Sequence, residues 1–223
     1  MTTFVLIPGA GGAAWFWHRV VPLLEQAGHE ALAVDLPADN PDAGLHAYAA
    51  LVKSVIGART NVTLVAQSMG GFTAAVVCAT VPVGRLVFVN AMVPLPGETA
   101  GAWWDNTGQE QARVAAAKRH GYASAFNLDT YFLHDVPAEV VQQGAPHQRD
   151  EAEIAFMEPA AFTAWPNVPI HVIASTEDRF FPVEFQARVA RERLGKDVDT
   201  LPGGHLVALS QPRALVDRLL AYR

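Results

Sequence analysis

Short uninterrupted apolar runs alternate with stretches of helical periodicity along most of this chain. Phe4–Pro8 (FVLIP), Glu30–Val34 (EALAV), Val62–Ala66 (VTLVA), Arg85–Asn90 (RLVFVN), Val168–Ser175 (VPIHVIAS) and Asp197–Leu201 (DVDTL) read as strands. Between them, apolar positions spaced for one helical face predict helices over Trp15–Ala27, Leu45–Ile56, Met69–Thr80, Pro182–Leu194 and Gln211–Arg223, with Gly28 and Gly195 as C-caps. Strands that alternate with helices, and that are apolar on both faces, predict an α/β fold: a mostly parallel sheet covered by helices on both sides. The ligand site of such a sheet lies at the carboxyl ends of its strands.

The rhythm stops between Ala91 and Trp165. Pro94, Pro96, Trp103, Trp104, an Ala-rich helical stretch near Gln109–Arg119 and a Gln/Arg/Glu-rich segment over Val140–Glu153 read as short helices and loops. Residues 1–90 and 166–223 are therefore expected to form the core, and residues 91–165 an inserted helical lid, within one structural domain. No internal repeat or low-complexity linker interrupts this plan.

Composition narrows the function. In 223 residues, 51% are hydrophobic, enough for a sizeable core, and the net charge of −6 comes from 22 acidic against 16 basic residues. No Lys/Arg-rich run is present to neutralise a phosphate backbone, so nucleic acid is not an expected partner. The single cysteine, Cys78, excludes an intrachain disulfide and sits in an apolar helix as a packed thiol. No apolar stretch approaches the roughly 18–20 residues of a membrane span, and the N-terminus lacks a basic leader; no membrane association and a cytoplasmic location are the expectation. A homodimer is left open.

The candidate chemistry centres on Asn61–Gly71 (NVTLVAQSMGG). Ser68 falls on a tight turn between a buried strand and a helix, where the backbone is strained and the hydroxyl projects from the sheet edge. Such a turn needs small neighbours, and Ala66-Gln67-Ser68-Met69-Gly70 supplies them as A-x-S-x-G, with alanine in place of the first glycine of G-x-S-x-G. A serine hydroxyl needs a base, and the base an acid to orient it. His205 follows the last strand in LPGGHLVAL, and Asp178 follows the preceding one in STEDRFFP, giving the chain order Ser, Asp, His on one sheet edge. Glu177 competes with Asp178, which is preferred because it stands nearer the FFP that restarts a helix. The oxyanion of an acyl intermediate would be held by two backbone N–H groups, those of Met69 after the serine and of Ala10 in the loop after the first strand.

The segments FVLIPGAGGAAWFWHRVVPLLEQAGHEALAVDLP, AQSMGG, TEDRFFPVEFQ and GGHLVALSQP together resemble the α/β-hydrolase group that contains plant methylesterases, hydroxynitrile lyases and bacterial esterase-like proteins. The likeness covers the core at both ends and is weak across the insert. It implies an α/β-hydrolase fold, with Ser68 as nucleophile, His205 as base, Asp178 as acid, and Ala10 and Met69 as oxyanion donors. Two departures matter. Pro8-Gly9 replaces the histidine-glycine usual after the first strand. The cyanohydrin-cleaving members are expected to carry a threonine where Gly9 stands and a lysine where Leu206 follows the histidine, which argues against a lyase of that type.

The resulting expectation is a cofactor-free, metal-free serine esterase acting on a small, largely apolar ester. Its pocket draws on Gly9, Trp15, Trp103, Phe126, Tyr131, Phe180 and Leu206, with Trp17, Trp104, Phe132, Met92 and Phe181 as further aromatic or apolar neighbours. His134-Asp135 is read as a structural pair. Three alternatives stand beside it: a hydroxynitrile lyase-like or other non-ester reaction on the same residues, a slow-turnover ligand receptor, and a nicotinamide-dependent oxidoreductase. The last rests on Gly9-x-Gly11-x-x-Ala14 after a strand, with Asp35 in the ribose position. Bulky Trp15, Phe16 and Trp17 crowd the place where a pyrophosphate would sit, and Asp35 is better read as a structural strand-end residue.

Overall fold

A computed structural model describes residues 1–222. Six parallel strands, β1 (Thr3–Ile7), β2 (Glu30–Ala33), β3 (Val62–Gln67), β4 (Arg85–Val89), β5 (Ile170–Ser175) and β6 (Asp199–Leu201), form one sheet in the order β2-β1-β3-β4-β5-β6. The helices of the core are α1 (Val21–Gln26), α2 (Leu45–Ile56), α3 (Gly70–Cys78), α8 (Val183–Leu194), α9 (Val207–Ser210) and α10 (Pro212–Ala221), while α4 (Ala100–Thr107), α5 (Gln109–His120), α6 (Ala138–Gly144) and α7 (Glu153–Met157) lie between β4 and β5. Among the described residues no helix is long and apolar enough to cross a membrane.

The period of two along each strand divides the core. Val5, Ile7, Leu64, Ala66, Leu86, Phe88 and Val172 pack with α2, α3 and α8 on one face. Phe4, Leu6, Val65, Val87, Val89 and Ile173 pack with Trp17, Leu24, α9 and α10 on the other. Both faces are covered, so the strands are apolar throughout, as parallel strands must be. In register, Ile7 pairs with Ala66, Gln67 with Val89, Val89 with Ile173, and Ser175 with Leu201. The strands thus end together, and the loops that follow them share one edge.

Two segments differ from the expected helices. Trp15–Ala27 is a 3-10 turn over Ala14–Trp17 followed by a separate helix from Val21, because Pro22 has no N–H and is accommodated in a first turn but not in mid-helix. After β6 the chain forms the extra short helix α9 before α10 begins at Pro212; Arg223 of the expected closing helix lies outside the described residues.

The chain between β4 and β5 is rooted to the core by a buried ion pair. Glu98 Oε1 and Oε2 meet both terminal nitrogens of Arg193 at the end of α8, and also accept from Asn106 (2.8 Å) and the Leu95 N–H (3.0 Å). Burial pushes the Glu98 carboxyl up, but Arg193, Asn106 and the Leu95 N–H outweigh it and hold the carboxyl below its ordinary value. Removing one partner of such a pair leaves a buried charge unmatched. Glu98→Ala is expected to lower the unfolding free energy by about 3–5 kcal/mol in urea titrations at neutral pH. Because the folded state holds this carboxyl low, the advantage of wild type over Glu98→Gln is full above the ordinary glutamate value of about 4.5 and shrinks as pH falls below it; a margin independent of pH would contradict the assignment.

Candidate active site

The site begins at the turn from β3 into α3. Ser68 has φ +49, one of two non-glycine residues at positive φ among those described. The turn is forced by close packing: a Cβ on Gly70 would stand 2.5 Å from the Pro8 carbonyl oxygen, so α3 can start this near β1 only without a side chain there. Helix α3 is buried along almost its whole length, which fixes the turn from below.

Ser68 Oγ lies 3.0 Å from His205 Nε2, and His205 Nδ1 lies 2.8 Å from Asp178 Oδ2. A carboxylate only accepts, so the Nδ1 hydrogen faces Asp178 and the Nε2 lone pair faces the serine hydroxyl. Asp178 also accepts the N–H groups of Phe180 (2.9 Å) and Phe181 (2.8 Å) on Oδ1 and Gln186 Nε2 (3.2 Å) on Oδ2. Together with His205 these donors satisfy a side chain with no solvent exposure, which offsets its desolvation. Glu177, its rival in sequence, is exposed. The fully buried imidazole is enclosed by the rings of Phe132, Phe180 and Phe181, all roughly perpendicular to it at 4.9–5.2 Å between centroids.

Several residues that position this chain of bonds were not anticipated. Asn90, at φ +45 just after β4, accepts the Ser175 N–H at 2.7 Å and donates to the carbonyls of Gly204 (3.1 Å) and His205 (3.2 Å). Gln67 donates to the same His205 carbonyl. From between β4 and β5, Asp135 accepts the Gly204 N–H at 2.6 Å and so steadies the histidine loop, while the ring nitrogens of His134 have no hydrogen-bond partner among the described residues. The available signal was a polar residue ending an otherwise apolar strand, as Asn90 does in RLVFVN.

Above Ser68 opens a cavity of about 840 Å³, lined mainly by apolar side chains, including Trp15, Met92, Trp104, Phe132, Phe180 and Leu206. Ala10 and Met69 line it too, and among the described residues neither backbone N–H has a hydrogen-bond partner. Of the expected pocket residues, Trp15, Phe180 and Leu206 line the cavity. Trp103 is fully buried, its indole N–H held by the Val93 carbonyl, and Tyr131 is fully buried with its hydroxyl on the Ala123 carbonyl. Phe126 is half-exposed and stacks on Tyr131. These three therefore pack behind or beside the cavity. Gly9 lies beneath it, where a Cβ would approach Gln67 Oε1 at 2.5 Å and Ser68 Cβ at 2.8 Å.

The dinucleotide reading fails on the same loop. Gly11 N–H is taken by Glu151 Oε2 and Ala14 N–H by Asp35 Oδ1, each at 2.8 Å, so carboxylates occupy the amides a pyrophosphate would need. Asp35 is paired with Arg149, in keeping with a structural role.

Comparison with known proteins finds relatives over part or nearly all of the chain. Norfluorocurarine synthase 1 from Strychnos sp is 35% identical over 103 residues, an alignment that covers 41% of this chain and only 39% of that protein. α-Hydroxynitrile lyase from Arabidopsis thaliana is 26% identical across 98% of this chain and 95% of its own length, and esterase PIR7B from Oryza sativa subsp. japonica is 28% identical across 97% and 94%. The crystal structure of polyneuridine aldehyde esterase superposes with a TM-score of 0.80 over 99% of this chain and 98% of that one, at 24% identity. The model of the Alpha/beta hydrolase family matches residues 4–218, and the chain belongs to that family.

Proposed function

We propose that this protein is a serine esterase that cleaves a small-molecule, largely apolar ester through an acyl-enzyme. The observation that carries the reading is the unbroken bond chain Ser68–His205–Asp178 at a cavity lined by Ala10 and Met69, whose N–H groups have no partner among the described residues. The similarity to a full-length rice esterase supports it.

In this mechanism His205 Nε2 takes the Ser68 proton as Oγ attacks the ester carbonyl, and the N–H groups of Met69 and Ala10 receive the charge that develops on the carbonyl oxygen. The imidazolium returns its proton to the departing alkoxide, releasing the alcohol. Water then gives a proton to the same nitrogen as it attacks the acyl-enzyme, and the acid is released as Ser68 is restored. Asp178 stabilises the imidazolium in both halves. The helical insert acts as a lid that supplies much of the apolar wall, through Trp104, Phe132 and Val140 among others, and keeps bulk water from the charged intermediate.

A second reading, cyanohydrin cleavage on the same residues, is favoured by the full-length match to α-hydroxynitrile lyase. Against it, Gly9 has no space for a threonine side chain without displacing Gln67 or Ser68, and apolar Leu206 follows His205 where the cyanohydrin-cleaving members are expected to carry a lysine. Cyanide release from mandelonitrile, faster than ester hydrolysis, is the result that would favour the lyase.

Short p-nitrophenyl esters provide the first test. Ser68→Ala is expected to abolish turnover, and Asp178→Asn to lower kcat by about 10⁴-fold through loss of the productive tautomer, with KM little changed. Wild-type turnover that survives in Ser68→Ala would sink the esterase assignment.

A further inference from the structure

The two amides assigned to the oxyanion are supported unequally. Met69 leads directly into α3, whose burial holds its N–H in place. Ala10 is itself exposed, in a loop outside any helix or strand whose neighbouring residues Gly11 and Gly12 are buried. The Gly12 N–H closes a turn on the Gly9 carbonyl at 3.1 Å and the Gly12 carbonyl accepts the Leu36 N–H at 2.8 Å, while the Gly11 peptide between them is held from elsewhere in the chain. Gly11, the residue after Ala10, donates its N–H to Glu151 Oε2 at 2.8 Å, and its carbonyl accepts from Arg149 Nε at 3.1 Å. Both polar groups of one loop residue thus end on side chains from the segment between α6 and α7.

Neither side chain is free to wander. The other Glu151 oxygen accepts the Tyr48 hydroxyl at 2.6 Å, and Tyr48 is buried in α2. The Arg149 guanidinium forks onto Asp35 at 2.8 and 3.2 Å, while Asp35 accepts the Ala14 N–H at the far end of the same loop. Gly11 itself is at φ +81, where a Cβ would meet the Arg149 carbonyl oxygen at 2.8 Å, so backbone lies directly on backbone here. Burial raises the Glu151 carboxyl above its ordinary value despite the bonds from Tyr48 and Gly11 and the nearby charge of Arg149, the mark of a desolvated place in which a hydrogen bond is strong.

We propose that Arg149 and Glu151 are positioning residues that clamp the Gly11 peptide and thereby aim the Ala10 N–H at the cavity beside Ser68. The oxyanion site is then complete only while the insert is seated on the core. This rests on the esterase reading, since an oxyanion donor acts by being fixed before charge develops. The clamp places a transition-state interaction under the control of residues about 140 positions away in sequence.

The test uses full-length Glu151→Ala, Glu151→Gln and Arg149→Ala proteins with p-nitrophenyl esters, alongside amide hydrogen exchange of the peptide spanning residues 8–13. The clamp predicts that Glu151→Ala and Arg149→Ala lose roughly 10- to 100-fold in kcat with KM within about 3-fold, because removing an oxyanion donor outright costs about 10²–10³-fold. Glu151→Gln keeps an acceptor for the Gly11 N–H and should recover kcat to within about 5-fold of wild type. Exchange in residues 8–13 should quicken in the alanine variants while peptides covering β3 and α3 stay as in wild type. Unchanged kcat, or a rise in KM alone, would overturn the proposal, the latter by showing that these side chains only contact substrate. If Glu151→Ala fails to fold, Arg149→Ala and Tyr48→Phe carry the same readouts. Absence of ester turnover in wild type would refute the esterase reading and, with it, the oxyanion role. Hydrogen exchange then decides the clamp alone, with unchanged rates at residues 8–13 rejecting it.

Discussion

A serine forced into the left-handed backbone region between a buried strand and a buried helix is the constraint on which the rest of this molecule depends. Holding a non-glycine residue there costs on the order of 1–3 kcal/mol. The surroundings over-determine it: the Ser68 carbonyl accepts from Gly71 and Met92, and its N–H reaches the Val89 carbonyl. Relaxing the turn would require α3 to leave the core. With Ser68 fixed, the parallel register brings the loop after β1 to one side of it and the loops after β4, β5 and β6 to the other.

The two sides are held by different physics. On the histidine side a buried polar network, Asn90 with Gln67 and the backbone of Ser175, Gly204 and His205, belongs almost wholly to the core, and Asp135 adds one bond from the insert. On the side of Ala10, the bonds that hold Gly11 come from Arg149 and Glu151 of the insert. In the proposed mechanism the base is thus organised by the scaffold, and one of the oxyanion donors by the segment that also walls the cavity. Such an arrangement links enclosure of the substrate to completion of the machinery, the general logic of lids in enzymes that must exclude water.

The core could be read from local pattern because its strands are apolar on both faces and its turns carry Gly and Pro, signals that need no tertiary knowledge. Leu45–Ile56 matches residue for residue, and β3 and β4 differ from expectation by one residue each. Of the two acids weighed after β5, Asp178 is buried against His205 and Glu177 is exposed. Pocket residues were less legible. Trp103, Phe126 and Tyr131 are aromatic residues of the insert like Trp104 and Phe132, and nothing in local sequence tells which side of a short helix meets the cavity and which meets α8 or another aromatic ring. The partners of Gly11 were illegible for a further reason: hydrogen bonds between residues about 140 apart follow from how the insert folds back, which periodicity does not encode.

The central claim is that Ser68 is a nucleophile activated by His205. Labelling with a fluorophosphonate, followed by peptide mass spectrometry, tests it most directly, because the reagent requires an activated hydroxyl and marks the atom that attacks. Rapid, stoichiometric modification of Ser68, lost in His205→Ala, is the result predicted here. No modification, or modification of another residue that persists in Ser68→Ala, would contradict the account.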